Sequence, residues 1–142
     1  MEKLEHIGIA VKNIEKANAL FGTLLGREHY KIEEVASEGV RTSFFEIGGV
    51  KIEFLEATRD DSPIAKFIEK KGEGVHHLAF AVSDIRSSME DYKKKGFEVI
   101  NEVPKKGADN KMICFLHPKT TGGVLIELCQ DINADIKASS SD

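Results

Sequence analysis

Two histidines and two glutamates recur at matched places in this chain, and together they make a metal-ligand inventory. The segment HIGIAVKNI, beginning at His6, returns as HLAFAVSDI from His77; GGVKIEFLE, ending at Glu56, returns as GGVLIELCQ, ending at Gln130. Superposing the copies sets His6 on His77 and Glu53 on Glu127. All four stand in alternating apolar runs, where a β-strand shows every second side chain to one face. A carboxylate facing the interior of a sheet is costly unless it is paired, solvated or coordinated. Imidazoles and carboxylates in this proportion suit one borderline divalent cation per chain: Co²⁺ first, with Ni²⁺, Mn²⁺ or Zn²⁺ as alternatives. On an octahedral ion, such a ligand set would leave two positions through which a substrate could chelate.

Strands and helices must position these groups, and the patterns supply them. From Leu4 to Val11, His6, Gly8 and Ala10 alternate with Ile7, Ile9 and Val11, the mark of a half-buried strand with small residues around one His. Asn13 is the expected cap of a helix with Ile14, Ala17, Phe21 and Leu24 on its apolar stripe and Gly26 at its end. Strands are expected near 28–35, 40–47 and 50–57, with Gly48-Gly49 turning the last pair. A short helix over 62–72, capped by Ser62 with Pro63 in its first turn, then joins the halves. The plan repeats: a strand from Val75 to Val82, a helix capped by Asp84, and strands near 97–103, 111–117 and 124–130. The expected fold is α+β, a single domain over 1–142 built of two tandem βαβββ modules (about 4–57 and 75–130). The tail over 131–142, ending in KASSSD, is expected to be flexible. His76 points to the face opposite His77 and takes a supporting or packing role.

Composition narrows the function classes. Apolar residues make up 41% and charged residues 31%, the balance of an ordinary globular chain. A net charge of −4 gives no basic footprint for nucleic acid. The start, MEKLEHIGIAV, runs directly into a strand pattern, so neither a signal peptide nor a membrane span is expected. Cys114 and Cys129 lie in apolar strand runs, where a free thiol acts as a small buried hydrophobe; a disulfide between them stays open. A cytoplasmic, reduced chain is the simplest expectation.

The tandem plan with His6, Glu53, His77 and Glu127 resembles the vicinal oxygen chelate (glyoxalase-like) superfamily, whose curved mixed sheet surrounds a metal site. Within it, the stretches DSPIAKFIEKKGEGVHHLAF and FLHPKTTGGVLIEL are most similar to the methylmalonyl-CoA epimerase family. Glyoxalase I typically has a short turn before its last ligand strand, whereas this chain has the longer loop from His117 to Gly123. The resemblance implies an isomerase that removes and returns the α-proton of an acyl-CoA, with a metal stabilising the enolate. It implies metal ligation by His6, Glu53, His77 and Glu127, with Glu127 as the base on one side, and a homodimer. His117 and Lys119, in the epimerase-like loop, are expected near the substrate, with Arg41, Lys105, Lys106 and Lys111 available for the CoA phosphates. Some bacterial epimerases carry a Glu at the position of Thr42, and a threonine cannot act as a general base at neutral pH. That leaves Glu53, Glu46 or a metal-bound water for the second acid/base. The readings set against the epimerase are a glyoxalase I-like lactoylglutathione lyase and a non-catalytic small-molecule-binding protein of the same fold. An extradiol dioxygenase fits less well, because two His and one carboxylate are its usual ligand set.

Overall fold

The computed structural model describes residues 1–132. Its elements run β1 (Lys3–Ala10), α1 (Ile14–Leu25), β2 (Lys31–Val35), β3 (Val40–Ile47), β4 (Val50–Ala57), α2 (Pro63–Lys71), β5 (Gly74–Ala81), α3 (Ile85–Lys94), β6 (Lys105–Lys106), β7 (Lys111–Leu116) and β8 (Ile126–Asp131). The chain divides into two compact units, His6–His77 and Met1–Glu5 with Leu78–Asp142. The division falls inside β1 and β5. Most of the expected flexible tail lies outside the described residues, and Asp131 ends the last strand. No described helix is long and apolar enough to cross a membrane.

In the unit His6–His77 the strands are ordered β2-β3-β4-β1. β2, β3 and β4 form an antiparallel meander, and β1 pairs parallel to β4 with Gly8 opposite Glu53. Gly48 and Gly49 close the β3–β4 hairpin at φ 57° and 83°, left-handed values that glycine adopts without strain. Alternation gives the sheet two different faces. Phe45 and Phe54 point to α1, where Val11, Ile14 and Ala17 complete a buried cluster. The stripe on α1 continues through Phe21 to Leu25 rather than Leu24, which is 69% exposed. The step from Phe21 to Leu25 is four residues, which keeps the stripe on one face. The opposite face carries His6, Gly8, Ala10, Glu53 and Leu55, and α2 covers its end by burying Ile64 against Ala10, Val40 and Leu55. Asn13 accepts from the Lys16 amide and Ser62 from the Ala65 amide, so both helices begin at their expected caps.

In the second unit, β5 pairs parallel with β8, which pairs antiparallel with β7, and β7 with β6. The start of β1 belongs here too: the Glu2 amide donates to the Ala81 carbonyl at 2.8 Å. Asp84 caps α3 by accepting from the Ser87 amide, and Ile85 and Met89 pack on Cys114, Leu116 and Leu128. Ala79, Ile113 and Cys129 form the other face of the sheet. The two cysteines therefore face opposite sides, and both are free. The strand expected near 97–103 is absent: Val99 makes only an isolated bridge to Leu116, and pairing resumes at Lys105–Lys106. Pro104 intervenes, and proline brings no N–H to a ladder.

Candidate metal centre

The unit His6–His77 brings three of the four expected ligands together. β1 and β4 run parallel, so His6 and Glu53 project from neighbouring strands on one face. His6 Nδ1 lies 3.1 Å from Glu53 Oε2, and His6 Nε2 lies 3.0 Å from His77 Nε2. The two imidazoles meet edge to face, with centroids 5.1 Å apart and planes at 84°. His6, Glu53 and His77 are 5%, 4% and 5% exposed, so solvent does little to screen them. The ring of His77 is held on its other side, where Nδ1 lies 2.9 Å from His76 Nδ1.

One set of tautomers compatible with these contacts suits a metal. A carboxylate at His6 Nδ1 keeps a proton there, which leaves Nε2 as a lone pair. His77 can donate from Nδ1 to His76, and its Nε2 is then a lone pair as well. Burial, followed by the neighbouring His6 and His76, holds the pKa of His77 well below the usual histidine range. Burial, followed by the charge of Lys71, brings His76 down to about 4. Both rings are neutral at pH 7. In those tautomers the two Nε2 lone pairs would face each other at 3.0 Å, where a cation would turn the repulsion into two bonds; with the His77 proton on Nε2 the same contact is an N–H···N hydrogen bond. Two nitrogens about 2.1 Å from one ion stand about 3.0 Å apart at a right angle and about 3.4 Å apart at the tetrahedral angle. The observed spacing is compatible with both nitrogens holding one ion. Glu53, expected as a direct ligand, stands 3.1 Å from His6 at the ring nitrogen that does not face His77.

Gly8 was read in the sequence only as a small neighbour, yet it makes the room for His77. A Cβ on Gly8 would stand 2.2 Å from His77 Cε1, 2.6 Å from Nδ1 and 2.7 Å from Nε2. Its signal was present in the pattern: the residue opposite Glu53 in β1 is the one that lacks a side chain.

The second unit holds Glu127, His117 and Lys119. Glu127, 5% exposed, stands on β8 between Ala79 and Phe115 in register. Its negative charge, after burial itself, helps push the Cys114 thiol up to about 12. Glu5 is a second buried carboxylate there, at 4% exposure, and the strand pattern did not single it out. His117 caps a short 3₁₀ turn, its Nδ1 accepting from the Lys119 amide at 3.1 Å. Lys119 Nζ pairs with Glu98 at 3.0 Å on an exposed surface. In the first unit, Arg41 is held by Glu15 at 3.0 Å and Glu56 at 3.7 Å. Thr42 is fully buried, and its hydroxyl has no hydrogen-bond partner among the described residues.

Comparison with known proteins identifies the family. Residues 5–115 match the model of the Glyoxalase/Bleomycin resistance protein/Dioxygenase superfamily. The chain is 38% identical to the uncharacterized protein YqjC of Bacillus subtilis, over 92% of this chain and 93% of that protein. It is 40% identical to the mitochondrial methylmalonyl-CoA epimerase of Homo sapiens, over 90% of this chain and 73% of the human protein. Its fold is similar to a variant of the Streptomyces coelicolor methylmalonyl-CoA epimerase in complex with 2-nitronate-propionyl-CoA. That pair superposes with a TM-score of 0.88 at 34% identity, over 92% of this chain and 95% of the other.

Proposed function

This chain belongs to the Glyoxalase/Bleomycin resistance protein/Dioxygenase superfamily, and on that premise we propose that it is a metal-dependent epimerase interconverting the two configurations of methylmalonyl-CoA. The observation that carries the reading is the buried pair of Nε2 atoms 3.0 Å apart, each on a ring whose other nitrogen is occupied. The likeness to the human and Streptomyces coelicolor epimerases supports the choice of substrate.

His6 and His77 would hold the ion through Nε2, and Glu53 would keep His6 in the tautomer this requires. A direct bond from Glu53 would need its carboxylate to leave His6 Nδ1. Glu127 enters as a ligand because the internal repeat sets it in the place of Glu53. A divalent ion, Co²⁺ first among the candidates, supplies Lewis-acid stabilisation of the charge that develops on the thioester oxygen as the α-proton leaves. Glu127 is also the proposed base, taking that proton on one face of the substrate. Thr42 offers no carboxylate for the other face, so α-proton exchange and inversion are separate readouts. Lys119 is proposed to reach the CoA phosphates. Its exposed ion pair with Glu98 is of a kind worth about 0–1 kcal/mol, so releasing the ammonium is cheap. A homodimer is part of the same proposal, and sedimentation would test it.

The deciding experiment follows methylmalonyl-CoA in D₂O by NMR with protein loaded with Co²⁺. Loss of the α-proton faster than in a protein-free control is the expected result. Retention of that proton by protein carrying stoichiometric Co²⁺ would refute the reading. Turnover of the hemithioacetal of methylglyoxal and glutathione under the same conditions would favour the lactoylglutathione lyase instead.

A further inference from the structure

His76 makes two contacts that packing alone does not require. Its Nδ1 lies 2.9 Å from His77 Nδ1, with the rings at 87°. On its other side the ring stands edge-on to Phe67 of α2, centroids 4.9 Å apart at 84°. Phe67 itself packs against the buried cluster of Ala10, Val40, Leu55 and Ile64. The ring of His76 is thus braced by the helix that covers the end of the site face.

We propose that His76 is a positioning residue: its Nδ1 lone pair accepts the Nδ1 proton of His77, fixing the tautomer and the ring angle that present His77 Nε2 to the ion. This rests on the metal reading above. Imidazole carries one proton when neutral, and a metal-binding imidazole must carry it on the nitrogen away from the ion. Without an acceptor at 2.9 Å, His77 loses what favours that tautomer, and its ring can turn. A ligand's hydrogen-bond partner typically changes metal affinity by about 10–100-fold when removed. His6 has Glu53 in this capacity, and His77 has His76. The strand pattern placed His76 on the opposite face, yet the two Nδ1 atoms stand 2.9 Å apart.

The test uses the full chain and two variants. His76→Phe keeps an aromatic ring against Phe67 and removes the acceptor; His76→Gln keeps an acceptor oxygen on a side chain of similar reach. Titration with Co²⁺ should show about 10–100-fold weaker binding for His76→Phe and most of the affinity restored in His76→Gln. A second readout needs no metal: long-range ¹H–¹⁵N spectra of the apo protein should show His77 protonated at Nδ1 in the wild type and in His76→Gln, and shifted toward Nε2 in His76→Phe. A role in packing alone would leave the tautomer unchanged, and that result overturns the inference. Equal Co²⁺ affinity in wild type and His76→Phe overturns it too, while leaving the metal site standing. Wild-type protein that binds no Co²⁺ overturns the metal reading itself, and this inference with it.

Discussion

Replacing Gly8 with alanine should weaken metal binding severely while leaving the chain folded, although the change adds one methyl group. The added Cβ would lie 2.2 Å from His77 Cε1. Carbon atoms in contact sit about 3.5–4.0 Å apart, so the imidazole must retreat by more than about 1 Å. Little else can give, because the Cβ position is set by the β1 backbone, which is paired to β4 from His6 to Ala10. Retreat breaks the 2.9 Å contact to His76 and carries Nε2 away from His6. A site of this kind tolerates about 0.5 Å of displacement, so Co²⁺ affinity should fall by about 100-fold or more. Overpacking of a buried contact costs about 1–3 kcal/mol, measurable by urea unfolding in the presence of a chelator. A double-mutant cycle isolates the cause. With His77→Ala already in place there is no ring to strike, so Gly8→Ala should then cost about 0.5 kcal/mol or less, a coupling of about 1–2 kcal/mol. Wild-type Co²⁺ affinity in Gly8→Ala would refute the reasoning, as would an equal stability cost in both backgrounds.

The remaining predictions test neighbouring parts of the same structure. Glu53→Gln keeps an acceptor near His6 Nδ1 and should weaken Co²⁺ binding by about 10-fold, against about 100-fold for Glu53→Ala; equal losses in a titration would point to direct ligation by the carboxylate. Thr42→Val should raise stability by about 1 kcal/mol, or about 2–4 °C in Tm, because it replaces a buried hydroxyl that has no partner among the described residues with a group of the same shape. A loss of stability in that variant would show that the hydroxyl is satisfied. Lys119→Ala should raise KM for the CoA substrate several-fold and leave Co²⁺ affinity unchanged; an unchanged KM would remove Lys119 from the substrate site. Cys114, buried and pushed up to about 12, should resist iodoacetamide at pH 8 in the folded protein. The unfolded thiol ionises first, so Cys114 lowers folding stability as pH rises above 9, as unfolding curves at pH 8 and 10 would show.

Periodicity and end signals made much of the secondary structure legible, because both are local. Asn13, Ser62 and Asp84 each accept the backbone amide three residues on, as short polar side chains at a helix start do. The alternation in LEHIGIAV and IEFLE correctly divided each strand between core and site faces. What failed depended on partners outside the local window. The run 97–103 looks like a strand, but Ile100 and Val103 are 49% and 60% exposed and only Val99 finds a bridge. Residues 98–100 pair briefly with β7, Ile100 N–H donating to the Phe115 carbonyl and His117 N–H to that of Glu98, but the Asn101 side chain accepts from the Phe115 amide and the ladder stops. Leu24 and Leu25 are likewise indistinguishable by composition; the position of Phe21 on the helix decides between them.

The candidate site divides along the same line between type and relation. That His6, Glu53 and His77 would be buried together was readable because the repeat sets ionisable groups at matched places in apolar strand runs. How each is used was not readable, since ligation and orientation ask for the same residue types. A carboxylate at His6 Nδ1 and a carboxylate on an ion are the same letter in a sequence. So are a histidine that binds and one that holds another in place. The 3.1 Å and 2.9 Å contacts, on the ring nitrogens that do not face each other, are what the orienting roles are proposed from. The glycine teaches the complementary point. Its contribution is the absence of a side chain, which periodicity registers as a weak strand residue and the structure as the space that His77 occupies. Residues that act by binding can thus be proposed from their chemistry, whereas those that act by orienting or making room are found through the atoms they touch.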